Sequence, residues 1–122
     1  MILLDTNALI WLDQGHPRAR RLRRPHLRLF VSPACLFELQ ILHETGRIRV
    51  RNGDPFSLSA DERWALDDPP SVTWFAYAAD LAWTRDPFDR LIAAHGRLRE
   101  WRVATSDPVM LEHLGPRRTF EL

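Results

Sequence analysis

The stretch ILLDTNALIWL, residues 2–12, decides how the rest of the chain is read. Ile2, Leu3 and Leu4 form a short apolar run that stops at Asp5, and from Ala8 onward the apolar residues fall at helix-compatible spacing. A brief apolar run followed by a helical period predicts a strand feeding directly into a helix. Asp5 stands at the junction.

The same grammar recurs downstream. LRLFV at 27–31 predicts a second strand, and Ser32-Pro33 supplies the N-cap and first position of a helix through ACLFELQILHET, stopped by Gly46. IRV at 48–50 predicts a brief extended piece and NGDP at 52–55 a turn. Ser59 and Glu62 have the spacing of a capping box, which predicts a short helix over RWAL ended by Pro69 and Pro70. WFAYAADLAW, 74–83, predicts a packed helix. In WTRDPFDRL, 83–91, Asp86 takes the N-cap, Pro87 the first helical position and Asp89 the first turn, and the helix continues through LIAAHGRLRE with Gly96 placed to interrupt or end it. WRVAT at 101–105 predicts a strand, Asp107-Pro108 a second cap-then-proline start for VMLEHL, and TFEL a closing edge strand. Strand and helix alternate throughout, which predicts an α/β fold with a mainly parallel sheet and helices on both faces.

At 122 residues the chain has room for one domain, 1–122, with a single core. No apolar run approaches the roughly 18 residues of a membrane span, and MILLDTN has no basic segment ahead of its apolar one, so a cytoplasmic protein is expected. The single cysteine, Cys35, fits a reducing compartment and forms no internal disulfide. All 17 basic residues are arginines. Five of them, Arg18, Arg20, Arg21, Arg23 and Arg24, crowd PRARRLRRP at 17–25, where a two-turn helix would turn Ala19 and Leu22 to one face and Arg20, Arg21 and Arg24 to another. That segment reads equally as a solvated helix face and as a patch for phosphate or an acidic partner.

In parallel α/β sheets, ligands bind beyond the carboxyl ends of the strands. Asp5 follows the first strand, Asp107 follows WRVAT after one serine, and Asp86 and Asp89 lie at a helix N-terminus that faces the same edge. Glu38 is the one acid inside the apolar stretch ACLFELQIL, and a carboxylate there needs a rim position or a partner. Singly, each acid is accounted for as a cap, a turn former or a surface residue. Jointly, carboxylates converging on one edge would raise each other's pKa values unless a cation sat among them. Oxygen donors suit a hard divalent ion, Mg²⁺ or Mn²⁺. Zinc is disfavoured, because His16, His26, His43, His95 and His113 show none of its short paired spacings.

Together ILLDTNALIWL, SPACLFELQILHETGRI, TRDPFDRLIAAHG and RVATSDPVML resemble, in order, the four acidic motifs of PIN-domain nucleases, and most closely those of VapC-type toxins of toxin–antitoxin pairs. The resemblance implies a three-layer α/β/α sandwich and a Mg²⁺- or Mn²⁺-dependent endoribonuclease. It places Asp5, Glu38, Asp89 and Asp107 on the metal-site acids. It makes Thr6, Asn7, Asp86, Thr105 and Ser106 supporting residues. Arg85 and Arg90, beside the acidic motif, read equally as contacts for substrate phosphate and as partners of a neighbouring carboxylate. The resemblance further implies an RNA substrate, a homodimer and a small VapB-like antitoxin. The chain departs from many relatives at Leu42, where they carry lysine, and at Thr84, where they carry histidine. Two rivals stand beside this reading. One is a phosphatase forming an aspartyl-phosphate at Asp5, which expects a second aspartate where this chain has Asn7. The other is a PIN-like module that binds RNA or protein without cleaving.

Overall fold

The computed structural model describes residues 1–50 and 53–122. Five strands, β1 (Ile2–Leu4), β2 (Leu29–Val31), β3 (Ala65–Leu66), β4 (Arg102–Thr105) and β5 (Thr119–Glu121), form one sheet in the order β3-β2-β1-β4-β5. Every pairing is parallel, with Leu4 aligned to Val31 on one side and Ala104 on the other. Among the described residues the α-helices are α1 (Thr6–Gln14), α2 (Pro33–Glu44), α3 (Ser71–Ala79), α4 (Pro87–Arg99) and α5 (Pro108–Leu114). Ile2, Leu3 and Leu4 are at most 1% exposed, as expected of a central parallel strand covered on both faces. The α/β architecture read from the sequence is therefore the one observed.

Strand order reverses at β1. The chain builds outward from β1 to β2 and β3, then returns to lay β4 and β5 on the other flank. Such a switch point opens a crevice at the carboxyl ends of the two strands that part there, here β1 and β4. Asp5 stands at it, donating its backbone N–H to the Ala104 carbonyl at 3.1 Å.

The caps fall where the sequence puts them. Ser32, Asp86 and Asp107 cap α2, α4 and α5, each followed by proline. Gly96 does not break α4. An added Cβ there would lie 2.6 Å from Val103 Cγ2, so the glycine lets the helix sit close against β4.

Several expectations are corrected. The helix predicted over RWAL is absent: Pro55–Ala60 forms a 3₁₀ turn capped by Asp54, and Ala65 and Leu66 pair with Phe30 and Val31 as β3. Main-chain pairing with β2 outweighs a capping-box spacing, and a two-residue strand is too short to show a period. Pro69 and Pro70 precede α3 instead of ending a helix. The helix predicted over 74–83 ends at Asp80. IRV at 48–50 joins no strand. The turn predicted at 52–55 falls partly on Asn52, outside the described residues. Pro17–Arg23 is a 3₁₀ segment, not an α-helix, although Ala19 and Leu22 point into the core as expected.

Candidate functional site

Asp5 is 7% exposed and caps α1, its carboxylate accepting the Ala8 N–H at 2.7 Å. Burial pushes its pKa up to about 6, with Glu38 and Asp107 adding to the rise, while the Thr105 hydroxyl and the Ala8 N–H favour the charged form. Thr105, fully buried at the end of β4, also accepts the Asp107 N–H at 3.0 Å. One hydroxyl thus stands between two of the acids.

Glu38, half-buried on α2, accepts a hydrogen bond from the Thr6 hydroxyl at the start of α1. This contact supplies the partner that an acid in an apolar stretch requires. Burial raises the Glu38 pKa, Thr6 opposes the rise and Asp86 adds to it. Asp86 caps α4 by accepting the Phe88 and Asp89 N–H groups at 2.9 and 3.1 Å.

Asp89 gathers the group. Burial first, then the charges of Asp86, Asp107, Glu38 and Asp5 in that order, push its pKa up to about 7. Each contribution means that the other acid lies within electrostatic reach, so residues separated by up to 102 positions share one field. Asp107 caps α5, accepting the Val109 N–H at 2.9 Å. Acids from the β1–α1 and β4–α5 junctions, from α2 and from the N-cap of α4 therefore lie within electrostatic reach of Asp89.

Among the described residues no set of three or more His, Cys, Asp or Glu side chains is already arranged to hold a metal ion. The donor chemistry still fits. The groups are all carboxylates, none of them in a salt bridge among the described residues, and Mg²⁺ keeps several waters and takes only one or two carboxylates directly. These residues therefore suit a hydrated hard cation and not a fully protein-built cage.

Other expected site residues are placed less centrally. Asn7 and Arg85 are exposed, and Ser106 is half-buried. Arg90 turns toward the end of α3, donating from Nη2 to the Ala79 carbonyl at 3.3 Å, which gives it a structural role. Thr84 accepts the Asp86 N–H at 3.2 Å, tightening the turn into α4.

One constellation escaped the sequence. His95, fully buried on α4, lies with Nε2 2.7 Å from Asp67 Oδ2, and Arg99 one turn on donates to the same carboxylate at 2.8 Å. Burial lowers the His95 pKa against the pull of Asp67. Burial works to raise the Asp67 pKa, but its bonds with Arg99 and His95 outweigh that and lower it. This network ties the helix carrying Asp86 and Asp89 to the segment after β3. The His95/Arg99 spacing was visible, but Asp67 followed a segment read as helix.

The PIN domain family matches residues 2–114. No curated protein matches the chain. Among solved structures, a toxin–antitoxin complex from Klebsiella pneumoniae is similar at 16% identity and TM-score 0.72, covering 100% of both chains. VapBC2 from Rickettsia felis, bound to a DNA fragment from its promoter, is similar at 19% identity and TM-score 0.69, covering 100% of this chain and 99% of that one. FitAcB from Neisseria gonorrhoeae is similar at 20% identity and TM-score 0.57, with 100% and 96% covered.

Proposed function

This chain belongs to the PIN-domain family, and from that premise we propose that it is a Mg²⁺- or Mn²⁺-dependent endoribonuclease, the VapC-type toxin of a toxin–antitoxin pair. The observation that carries the proposal is the carboxylate group at the switch point, where Asp89 is held near pKa 7 by burial and four neighbouring acids. Burying carboxylates side by side is unfavourable, and a bound cation offsets it.

Asp5, Asp89 and Asp107 are the proposed metal ligands. Glu38 serves as a further ligand, directly or through water, or as the base that accepts a proton from the attacking water. A bound Mg²⁺ or Mn²⁺ would supply a lowered water pKa and stabilise charge developing on the phosphodiester oxygens. The chain's own contribution is orientation. The Ala8 N–H fixes the Asp5 carboxylate, the Thr6 hydroxyl engages one Glu38 oxygen and leaves the other to take up a proton, and the Phe88 and Asp89 N–H groups fix Asp86. Thr105 keeps Asp5 and Asp107 in register. Asn7 and Ser106 are proposed as further polar groups beside these acids, and exposed Arg85 as a contact for substrate phosphate.

The proposed partners are RNA, a second copy of the chain and a small antitoxin in the cytoplasm of the cell. The similarity to a toxin–antitoxin complex from Klebsiella pneumoniae supports the antitoxin. One observation favours a second reading, binding without cleavage: no three acids are pre-arranged as ligands among the described residues. Incubating the protein with total RNA, with and without Mg²⁺ or Mn²⁺, and sequencing the new ends separates the two. We expect metal-dependent cuts that Asp89→Asn reduces by more than about 100-fold, since even outer partners of metal sites typically cost 10–100-fold. Cleavage that survives chelation, or that Asp89→Asn leaves unchanged, would exclude the nuclease reading.

A further inference from the structure

We propose that a cavity at the far end of the sheet from the carboxylates is a second binding site, for a phosphate dianion, free or carried as a monoester on a small organic body. The cavity has a volume of about 210 Å³ and lies between the C-terminal half of α4, the start of β4 and the segment joining α5 to β5. Its floor is apolar: Gly96 and Val103 are buried, and half-buried Leu114 and Trp101 stand beside them. Arg97, Arg117 and Arg118 are exposed around it, with Glu100 as its single acid. Trp101 immediately precedes β4 and Arg118 immediately precedes β5, so the cavity sits at the amino ends of these strands. Asp5 and Asp107 follow the carboxyl ends of β1 and β4, and the length of β4 separates the two places.

Charge and size select the occupant. Three arginines against one glutamate leave the lining at +2, and a phosphate monoester carries about −1.5 to −2 near pH 7. Arg63 and Arg99 are committed to Asp13, Asp61 and Asp67, whereas none of Arg97, Arg117 and Arg118 is in a salt bridge among the described residues. Arg97 lies over the Tyr77 ring at 5.2 Å, a contact through the ring face that leaves its N–H groups to bind elsewhere. Helix-end carbonyls could otherwise draw these side chains, but those nearby are already engaged. Gly96 accepts the Trp101 N–H at 2.9 Å, Arg97 accepts the Glu100 N–H at 3.2 Å, and Gly115 accepts the Thr119 hydroxyl at 2.9 Å. Guanidinium forks match phosphate oxygens two at a time, which a single carboxylate ligand would use less fully. The volume is below the roughly 300 Å³ at which pockets for drug-sized ligands begin, so the body attached to the phosphate is small. The apolar floor is where that body rests.

The test is calorimetric titration of the full chain with inorganic phosphate, ribose 5-phosphate and adenosine 5′-monophosphate, with chelator present so that no divalent ion bridges a phosphate to the carboxylates. At least one of the three should bind with a dissociation constant below about 1 mM, and the tightest identifies the body. Arg117→Gln combined with Arg118→Gln should weaken that binding by about tenfold or more, since charge-assisted hydrogen bonds are lost. Leu114→Trp, which fills the cavity and keeps all three arginines, should weaken it to a similar degree. Circular dichroism melts confirm that both variants are folded. The proposal is overturned if none of the three ligands binds, or if either folded variant retains full affinity. It is also overturned if adenosine binds as tightly as its monophosphate, or if the dipeptide Glu-Glu binds as tightly as the best phosphate ligand, since the arginines then form a general anionic contact. The nuclease reading is not needed for this site: RNA cleavage by the parent in Mg²⁺ stands or falls separately, and the paired arginine variant should cut RNA as the parent does.

Discussion

Burial holds the Asp5 carboxyl near pKa 6 while the same carboxylate caps α1. In the unfolded chain its pKa lies near 3.8. A raised acid favours the folded state most below the unfolded value, and that stability is lost as pH rises through about 6. Asparagine caps a helix as well as aspartate does, so Asp5→Asn removes the buried charge and keeps the cap. With chelator present at pH 8, the variant should be more stable than the parent by about 1–3 kcal/mol. The gap should close toward pH 4, as followed by thermal melts monitored by circular dichroism across that range. A parent at least as stable as the variant at pH 8 would mean that Asp5 bears no such burden. The residue types of this site were legible from caps and strand ends. Their pKa values were not, because desolvation and the distance between Asp5 and Asp107 are set only after folding.

The arginine-rich segment shows how an element acquires its role from partners remote in sequence. Arg21 donates from Nη1 to the Glu121 carbonyl at 3.0 Å and lies over Phe120 at 4.8 Å, while Arg18 reaches the Leu122 carbonyl at 3.2 Å and lies over Trp11 at 4.7 Å. These contacts add to what holds β5, an edge strand of three residues paired with β4 and anchored by the buried Phe120 and by the Thr119 hydroxyl, which donates to the Gly115 carbonyl at 2.9 Å. Arg21→Ala should cost about 1 kcal/mol and speed amide hydrogen exchange in β5. Exposed Arg24→Ala should stay within about 0.5 kcal/mol. Equal effects of the two would assign the segment to solvent alone. The inward faces of Ala19 and Leu22 followed from spacing within nine residues. The Arg18 contact closes a loop of 104 residues, which no local pattern encodes. The misread RWAL segment fails for the same reason: its strand exists only because β2 lies alongside.

Across the whole molecule, the near-neutral formal charge of +1 hides a separation in which acids gather at the carboxyl edge of the sheet. A cation that binds there binds only the folded chain, so Mg²⁺ at ten times its dissociation constant should stabilise the protein by about 1.4 kcal/mol. The shift should be clear at pH 7.5 and fade near pH 5, as Asp89 and Asp5, with pKa values of about 7 and 6, take up protons. Calorimetric titration and melts at both pH values check this, and identical shifts at the two would place the ion elsewhere. The alternation of strand and helix, the caps at Ser32, Asp86 and Asp107 and the inward faces of Ala19 and Leu22 were determined by the sequence alone, since propensity, period and capping act over a few residues. Tertiary structure alone decided that β1 lies between β2 and β4, that Thr6 meets Glu38, that Asp67 holds His95 and Arg99, and that Arg97, Arg117 and Arg118 line one cavity. Those outcomes depend on which distant segments share a neighbour, and hydrogen bonding and Coulomb energy act through spatial separation and local dielectric, not through position along the chain.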